Sequence, residues 1–172
     1  MKNLIFIIIA FLQMTTYGQS KVETENWIKE KIEMYGLNKS DIRHSHTLEF
    51  KDINVNDSLQ RTMFINHDLD IFYSNGDEDH LKYTYSIQLN QIGLILFKYN
   101  EGNTWLNINC IDNNDCVNQT NPSKYSTDNE LENSITIILS KSIENEDMPN
   151  RLKSAFHHLV KINGGQIIKE VF

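Results

Sequence analysis

The chain has 172 residues, 40% of them hydrophobic and 10% aromatic, and a formal net charge of -7 at neutral pH. This composition supplies one packed core and excludes wholesale disorder. An acidic surface repels phosphate backbones and anionic headgroups, which argues against nucleic acid as a partner.

The N-terminus opens with Met1-Lys2-Asn3, continues as an unbroken apolar run from Leu4 to Leu12, and then turns polar through Gly18. A basic start, a short apolar stretch and small residues before a polar segment form the secretory pattern. A bilayer-spanning helix needs about 20 apolar residues, so this run is too short for a permanent anchor. Thr16 and Gly18 place small side chains ahead of a cut before Gln19, and no cysteine lies there to take a lipid. We therefore expect a signal peptide over 1–18, cleaved after Gly18, and a single secreted domain over 19–172, periplasmic or extracellular. The competing reading of the run is a buried N-terminal strand or helix.

Trp27, Ile28, Ile32 and Tyr35 recur at helical spacing, with Glu25, Lys29, Glu30, Lys31 and Glu33 on the other face. Thr24 is the expected N-cap and Gly36 the expected left-handed stop. The period then changes to two: His46, Leu48 and Phe50 alternate with polar residues. Met63–Ile65 and Leu69–Tyr73 suggest further short strands on either side of His67-Asp68. Asn75-Gly76 and the acids after it signal a turn. Leu81, Tyr83, Tyr85, Ile87 and Leu89 then define a half-buried strand with Lys82, Thr84, Ser86 and Gln88 on its wet face. Ile92 to Tyr99 follows after only Asn90-Gln91, which predicts an antiparallel hairpin with that strand. Glu101-Gly102-Asn103 turns the chain into another strand, Trp105 to Ile111.

Asp112 to Glu130 reads as a long polar surface loop, and Ser134 to Ser140 as a strand. The last element is a helix starting near Pro149, striped with Leu152, Ala155, Phe156, Leu159 and Val160 and stopped by Gly164-Gly165. The tail from Gln166 to Phe172 is expected to pair with a sheet or cover a barrel end. Cys110 and Cys116 are the 2 cysteines of the chain. In an oxidising compartment neighbouring cysteines pair, so we expect a disulfide, with two free thiols as the alternative. Neither zinc-ligand spacing nor a Cys-x-x-Cys redox motif accompanies them.

Helix, six or seven antiparallel strands, then helix is an α+β order. Short connections exclude a doubly wound parallel sheet, which needs crossover helices. With its entry helix Glu25–Ile32 and final helix Arg151–Val160, the chain resembles small exported bacterial proteins of unassigned function with a pleckstrin-homology-like fold. The resemblance implies a strongly bent antiparallel β-barrel or sandwich capped by the C-terminal helix. Phosphoinositide-binding members of that fold use basic residues in the loop between the first two strands. The matching loop here, Asn54-Val55-Asn56-Asp57-Ser58-Leu59-Gln60, has no basic residue, so headgroup binding is not carried over.

Candidate chemistry is sparse. His44 and His46 share one face of a strand, as a metal site requires, with His67, Asp68 or Asp70 as a third ligand; the competing reading puts His46 at a barrel rim and His44 in solvent. His157 and His158 fall off the apolar stripe, and His80 follows Asp77-Glu78-Asp79, which would raise its proton affinity. Asp112-Asn113-Asn114-Asp115 resembles part of a calcium loop, but Val117 stands where the glycine belongs and Ser123 where the glutamate belongs. There is no nucleophile elbow and no phosphate-cradling glycine loop. We therefore assign no catalytic residue, metal ligand or cofactor. The expectation is a non-catalytic secreted binding or scaffold domain with a protein, peptide or small-molecule partner and no stable membrane insertion. The alternatives are a carrier of a small apolar ligand and a metal-assisted hydrolase.

Overall fold

A computed structural model describes residues 20–100, 102–120 and 130–168. The expected leader, the middle of the polar loop and the end of the tail lie outside those residues.

Helix α1 spans Lys21–Met34. Ser20 Oγ accepts from the Glu23 amide at 3.2 Å while Glu23 Oε2 accepts from the Ser20 amide at 2.8 Å. This reciprocal box satisfies two orphan donors, so the cap is Ser20 rather than Thr24, which lies buried inside the first turn. Gly36 is likewise not a left-handed stop, because the left-handed glycines are Gly76, Gly102 and Gly164. Its role is space: a Cβ at Gly36 would lie 2.9 Å from the His44 carbonyl oxygen, where the chain leaving α1 crosses close to a strand.

Nine strands form two antiparallel sheets among the described residues. The larger is built from β1 (Leu37–Asn38), β2 (Ile42–Val55), β3 (Ser58–Phe72), β4 (Glu78–Gln88), β7 (Val117–Thr120) and β8 (Glu130–Glu132), in that spatial order. The smaller orders β5 (Ile92–Asn100), β6 (Asn103–Cys110) and β9 (Ser134–Ser140). The α+β class and the antiparallel pairing agree with the sequence reading. A closed barrel does not form, and the strands exceed the expected six or seven. The sheets meet along one side, through an isolated Gly36–Leu139 bridge and a 2.7 Å bond from the Ser140 amide to the Tyr35 carbonyl. On the other side the tail occupies the edge: the Ile168 amide donates to the Gly93 carbonyl on β5 at 2.7 Å.

The expected hairpin between β4 and β5 is also absent, for these strands belong to different sheets. A short 3-10 turn, Leu89–Gln91, joins them, and fully buried Leu89 and Ile92 anchor it in the core. The chain therefore passes from one layer to the other instead of folding back. Conversely, β2 and β3 are longer than predicted, paired without interruption from Ile42–Ile71 to Val55–Ser58. Their turn is Asn56-Asp57, both left-handed with φ of 49° and 60°, a conformation Asn and Asp tolerate better than other side chains. The polar loop after Cys116 contains β7, whose Val117 is fully buried.

Helix α2 spans Met148–Ile162 and buries Leu152, Phe156, Leu159 and Val160, the predicted stripe. Ile28 and Ile32 of α1 join them in one core with Leu48, Met63 and Ile65 of the large sheet and Leu106, Ile108, Ile137 and Leu139 of the small one. Pairing registers order the inner face of the large sheet into rows. Phe50, Met63 and Ile87 form one, Leu48, Ile65 and Tyr85 the next, and His46, His67 and Tyr83 the third.

Candidate functional site

Period-two alternation in β2 sends His44 and His46 inward together, as predicted, and the register sets His67 of β3 directly opposite His46. All three rings are enclosed, at 6%, 2% and 8% exposure for His44, His46 and His67. His46 is therefore not a solvent-washed rim residue, nor is His44 solvated. Asp68 and Asp70 fall on the opposite face, where Asp68 faces Lys82 and Asp70 faces Arg43 and His80. Of the three candidate third members, only His67 joins the pair.

His44 Nδ1 lies 2.9 Å from His67 Nε2, and the ring centroids are 5.1 Å apart with planes 21° apart. The difference between the two distances is about one ring diameter, so the bond runs nearly along the line of centroids: one N–H aimed at one lone pair. His46 lies over His67 with centroids 4.5 Å apart and planes 19° apart, and neither of its ring nitrogens has a hydrogen-bond partner. Tyr83 continues the row beyond His67, and Tyr85 follows Tyr83 along β4 with ring centroids 6.3 Å apart. Burial first, then the neighbouring imidazoles, pushes His46 down to about 3. Burial and His44 push His67 down to about 4, partly opposed by Asp68, and burial lowers His44 as well. The cluster is neutral at pH 7.

Such a cluster is a poor metal site. Metal–nitrogen bonds run about 2.0–2.1 Å, so a metal on that line would need roughly 4 Å between the nitrogens, where the protein provides room for a proton. No group of three or more His, Cys, Asp or Glu among the described residues is arranged to hold a metal. That includes Asp112 and Asp115 of the calcium-like run, which forms a 3-10 turn with Asp112 and Asn113 left-handed. Nor does any imidazole of the cluster hydrogen-bond to a carboxylate that would orient it as a general base.

The remaining sequence candidates are dispersed. His80 is exposed and its proton affinity is raised, chiefly by a 2.8 Å bond to Asp70 and further by Glu78 at 3.5 Å. Its partners are thus on the neighbouring strand and at the start of its own strand, while Asp77 and Asp79 bond Asn75 and Tyr73 instead. His158 is exposed, but His157 is half-buried. Cys110 and Cys116 form the predicted disulfide, with Cα atoms 5.9 Å apart, joining the end of β6 to the residue before β7 and so one sheet to the other.

A groove of about 390 Å³ runs between α1 and α2, lined by Thr24, Trp27, Asp147, Asn150, Arg151 and His158 among others. The Arg151 guanidinium sits 5.6 Å from the centroid of the Trp27 ring and makes no ion pair among the described residues. Asn150 Nδ2 donates to Asp147 Oδ1 at 2.5 Å, and the Asp147 side chain caps no amide of α2. The Thr24 hydroxyl is buried with no hydrogen-bond partner. The groove thus combines a stacked cation, the Asp147 carboxylate, the hydroxyl of Ser154 and the exposed His158 imidazole in one concave strip. Sequence reading missed it because its walls come from opposite ends of the chain. It also misplaced Glu25, which is not on a wet face: it is 4% exposed and clasps Arg61 of β3 through two bonds, Oε1 at 2.9 Å and Oε2 at 2.5 Å.

None of the helices among the described residues is long and apolar enough to cross a membrane. No family model, no curated protein and no solved structure matches this chain.

Proposed function

We propose that this chain is an exported, non-catalytic binding domain of pleckstrin-homology-like architecture that holds a small polar ligand between its two helices. The observation that carries this reading is the groove itself, where Arg151 lies stacked on Trp27 without an acidic partner among the described residues. Concave sites with a few converging polar groups are where small ligands are held. The absence of an oriented base or nucleophile around the buried imidazoles supports binding over catalysis. The space between the sheets is filled by fully buried side chains such as Leu48, Leu106 and Phe156, which disfavours an apolar cargo inside the fold. Export rests on the leader pattern, and the disulfide accords with an oxidising destination.

Trp27 and Trp105 are the two tryptophans. A Trp105→Phe variant therefore reports from the groove by fluorescence. Titration with a panel of small carboxylates, amino acids and neutral sugars is expected to give at least one saturable change, lost on Arg151→Ala. If no member of the panel changes the Trp27 signal, and Arg151→Ala leaves the melting temperature untouched, the groove is a packing seam and the reading fails.

A further inference from the structure

Three imidazoles in one enclosed patch are an expensive way to fill a core, and nothing in the proposed binding role requires them. Leu or Phe would pack the same inner-face positions without the desolvation cost of six ring nitrogens. The patch is also uncompensated. On β2 its neighbours along the face are Ile42 and Leu48, and on β3 they are Ile65 and Leu69. From β4 it is faced by Tyr83 and Tyr85, whose phenol is shifted upward by burial, the tyrosine beside it and Glu132 of β8. The buried residues of β9 are Ile135, Ile137 and Leu139, that of β1 is Leu37, and α1 buries Ile28 and Ile32, its one buried acid being held by Arg61. The acid that acts on the cluster is Asp68, behind the sheet and facing Lys82.

We propose that His44, His46 and His67 form an acid-sensitive latch: their neutral contacts hold the β1–β4 end of the large sheet closed, and protonation releases it. In the closed state one neutral ring donates to the other across the 2.9 Å contact, and His46 lies on His67 with both nitrogens dry. A proton added to His46 puts a cation against two imidazoles with no counter-ion. A proton on each of His44 and His67 sets two N–H groups face to face. Either event favours a conformation in which water reaches the rings.

The direction follows from linkage. The closed-state affinities lie below the ordinary histidine value, to about 3 for His46 and about 4 for His67, so the open state takes up protons first as pH falls. Closure is complete above pH 6.5 and is lost progressively toward those lower values. Each buried ring multiplies the opening equilibrium about tenfold per pH unit across that window.

Hydrogen exchange read residue by residue tests this in the intact protein. Between pH 7 and pH 5, after correction for the intrinsic pH dependence of exchange, opening at Arg43–Thr47 and Asn66–Asp68 is expected to rise at least tenfold. Opening at Leu106–Ile108 on β6 should stay nearly constant. His46→Leu should cut that rise by at least tenfold, the share of one ring; should this variant not fold, His44→Phe removes one ring and the shared hydrogen bond and should cut it likewise. Uniform acceleration across both sheets would mean global acid unfolding and would overturn the latch. So would an unchanged pH dependence in the folded variant.

Discussion

Toward the Phe50–Met63–Ile87 row, the inner face of the large sheet is hydrocarbon and thioether, without a titratable group, and packs with Ile28 and Ile32 in one core. Toward the His46–His67–Tyr83 row, the same face is made of two enclosed imidazoles and a part-buried phenol. Burying an aliphatic side chain contributes about 1.5–3 kcal/mol whatever the pH. Burying an imidazole contributes only while the ring stays uncharged, and about 1.4 kcal/mol per ring is lost for each pH unit below its ordinary value. Equal burial therefore does not mean equal stability. One half of the face holds the fold unconditionally; the other holds it on a condition.

The sharpest way to break that contrast is to strike the unconditional half. Phe156 of α2 is fully buried in the shared core, and Phe156→Asp removes its contacts and buries a charge. The loss should exceed about 5 kcal/mol and abolish cooperative melting at pH 7 and pH 5 alike. A melt that hardly moves would show that α2 does not hold the core together.

A smaller effect is expected at the rim of that half, where Glu25 and Arg61 tie α1 to β3 with side chains 5% and 16% exposed. Glu25→Ala leaves the guanidinium with only Asp52, 3.3 Å away and half exposed. The expected cost is about 2–3 kcal/mol in urea unfolding, below the full value for a buried pair because Asp52 and water take up part of the charge. Smallest should be the loss of the disulfide: the Cys110→Ser, Cys116→Ser double variant releases a short loop and should cost about 2 kcal/mol. That loss should be the same at both pH values, since neither sulfur titrates while bonded. A pH-dependent loss would mean the staple and the imidazole patch are coupled.

Local patterning made much of this molecule legible. Alternation through His46, Leu48 and Phe50, the stripe through Leu152, Phe156 and Leu159, and the spacing of Cys110 and Cys116 each led to the observed element or bond. Errors arose where a local signal had more than one tertiary outcome. Asn90-Gln91 is as short as a hairpin loop, yet buried residues on either side of it make a layer crossing. Polar composition concealed β7, because three residues pairing with β4 need no apolar period of their own. Glu25 looked like a surface acid because its partner lies 36 positions away. The imidazole patch was half visible: His44 and His46 announce a shared face, but only the register between β2 and β3 selects His67 over Asp68 and Asp70. The interhelical groove had no local signature, since it unites Trp27 with Arg151.

The long hairpin of β2 and β3 runs past its neighbour. β4 reaches only as far as Thr62, so Ser58 to Arg61 pair with β2 alone, and the strands end at Asn56-Asp57 with most flanking side chains in water. An added peptide at that tip would disturb no core contact and no sheet beyond the two-stranded arm. The tip is therefore a natural attachment point for an epitope or fluorophore, far along the chain from both helices. A tag there would follow the protein in solution while leaving both ends of the chain untouched.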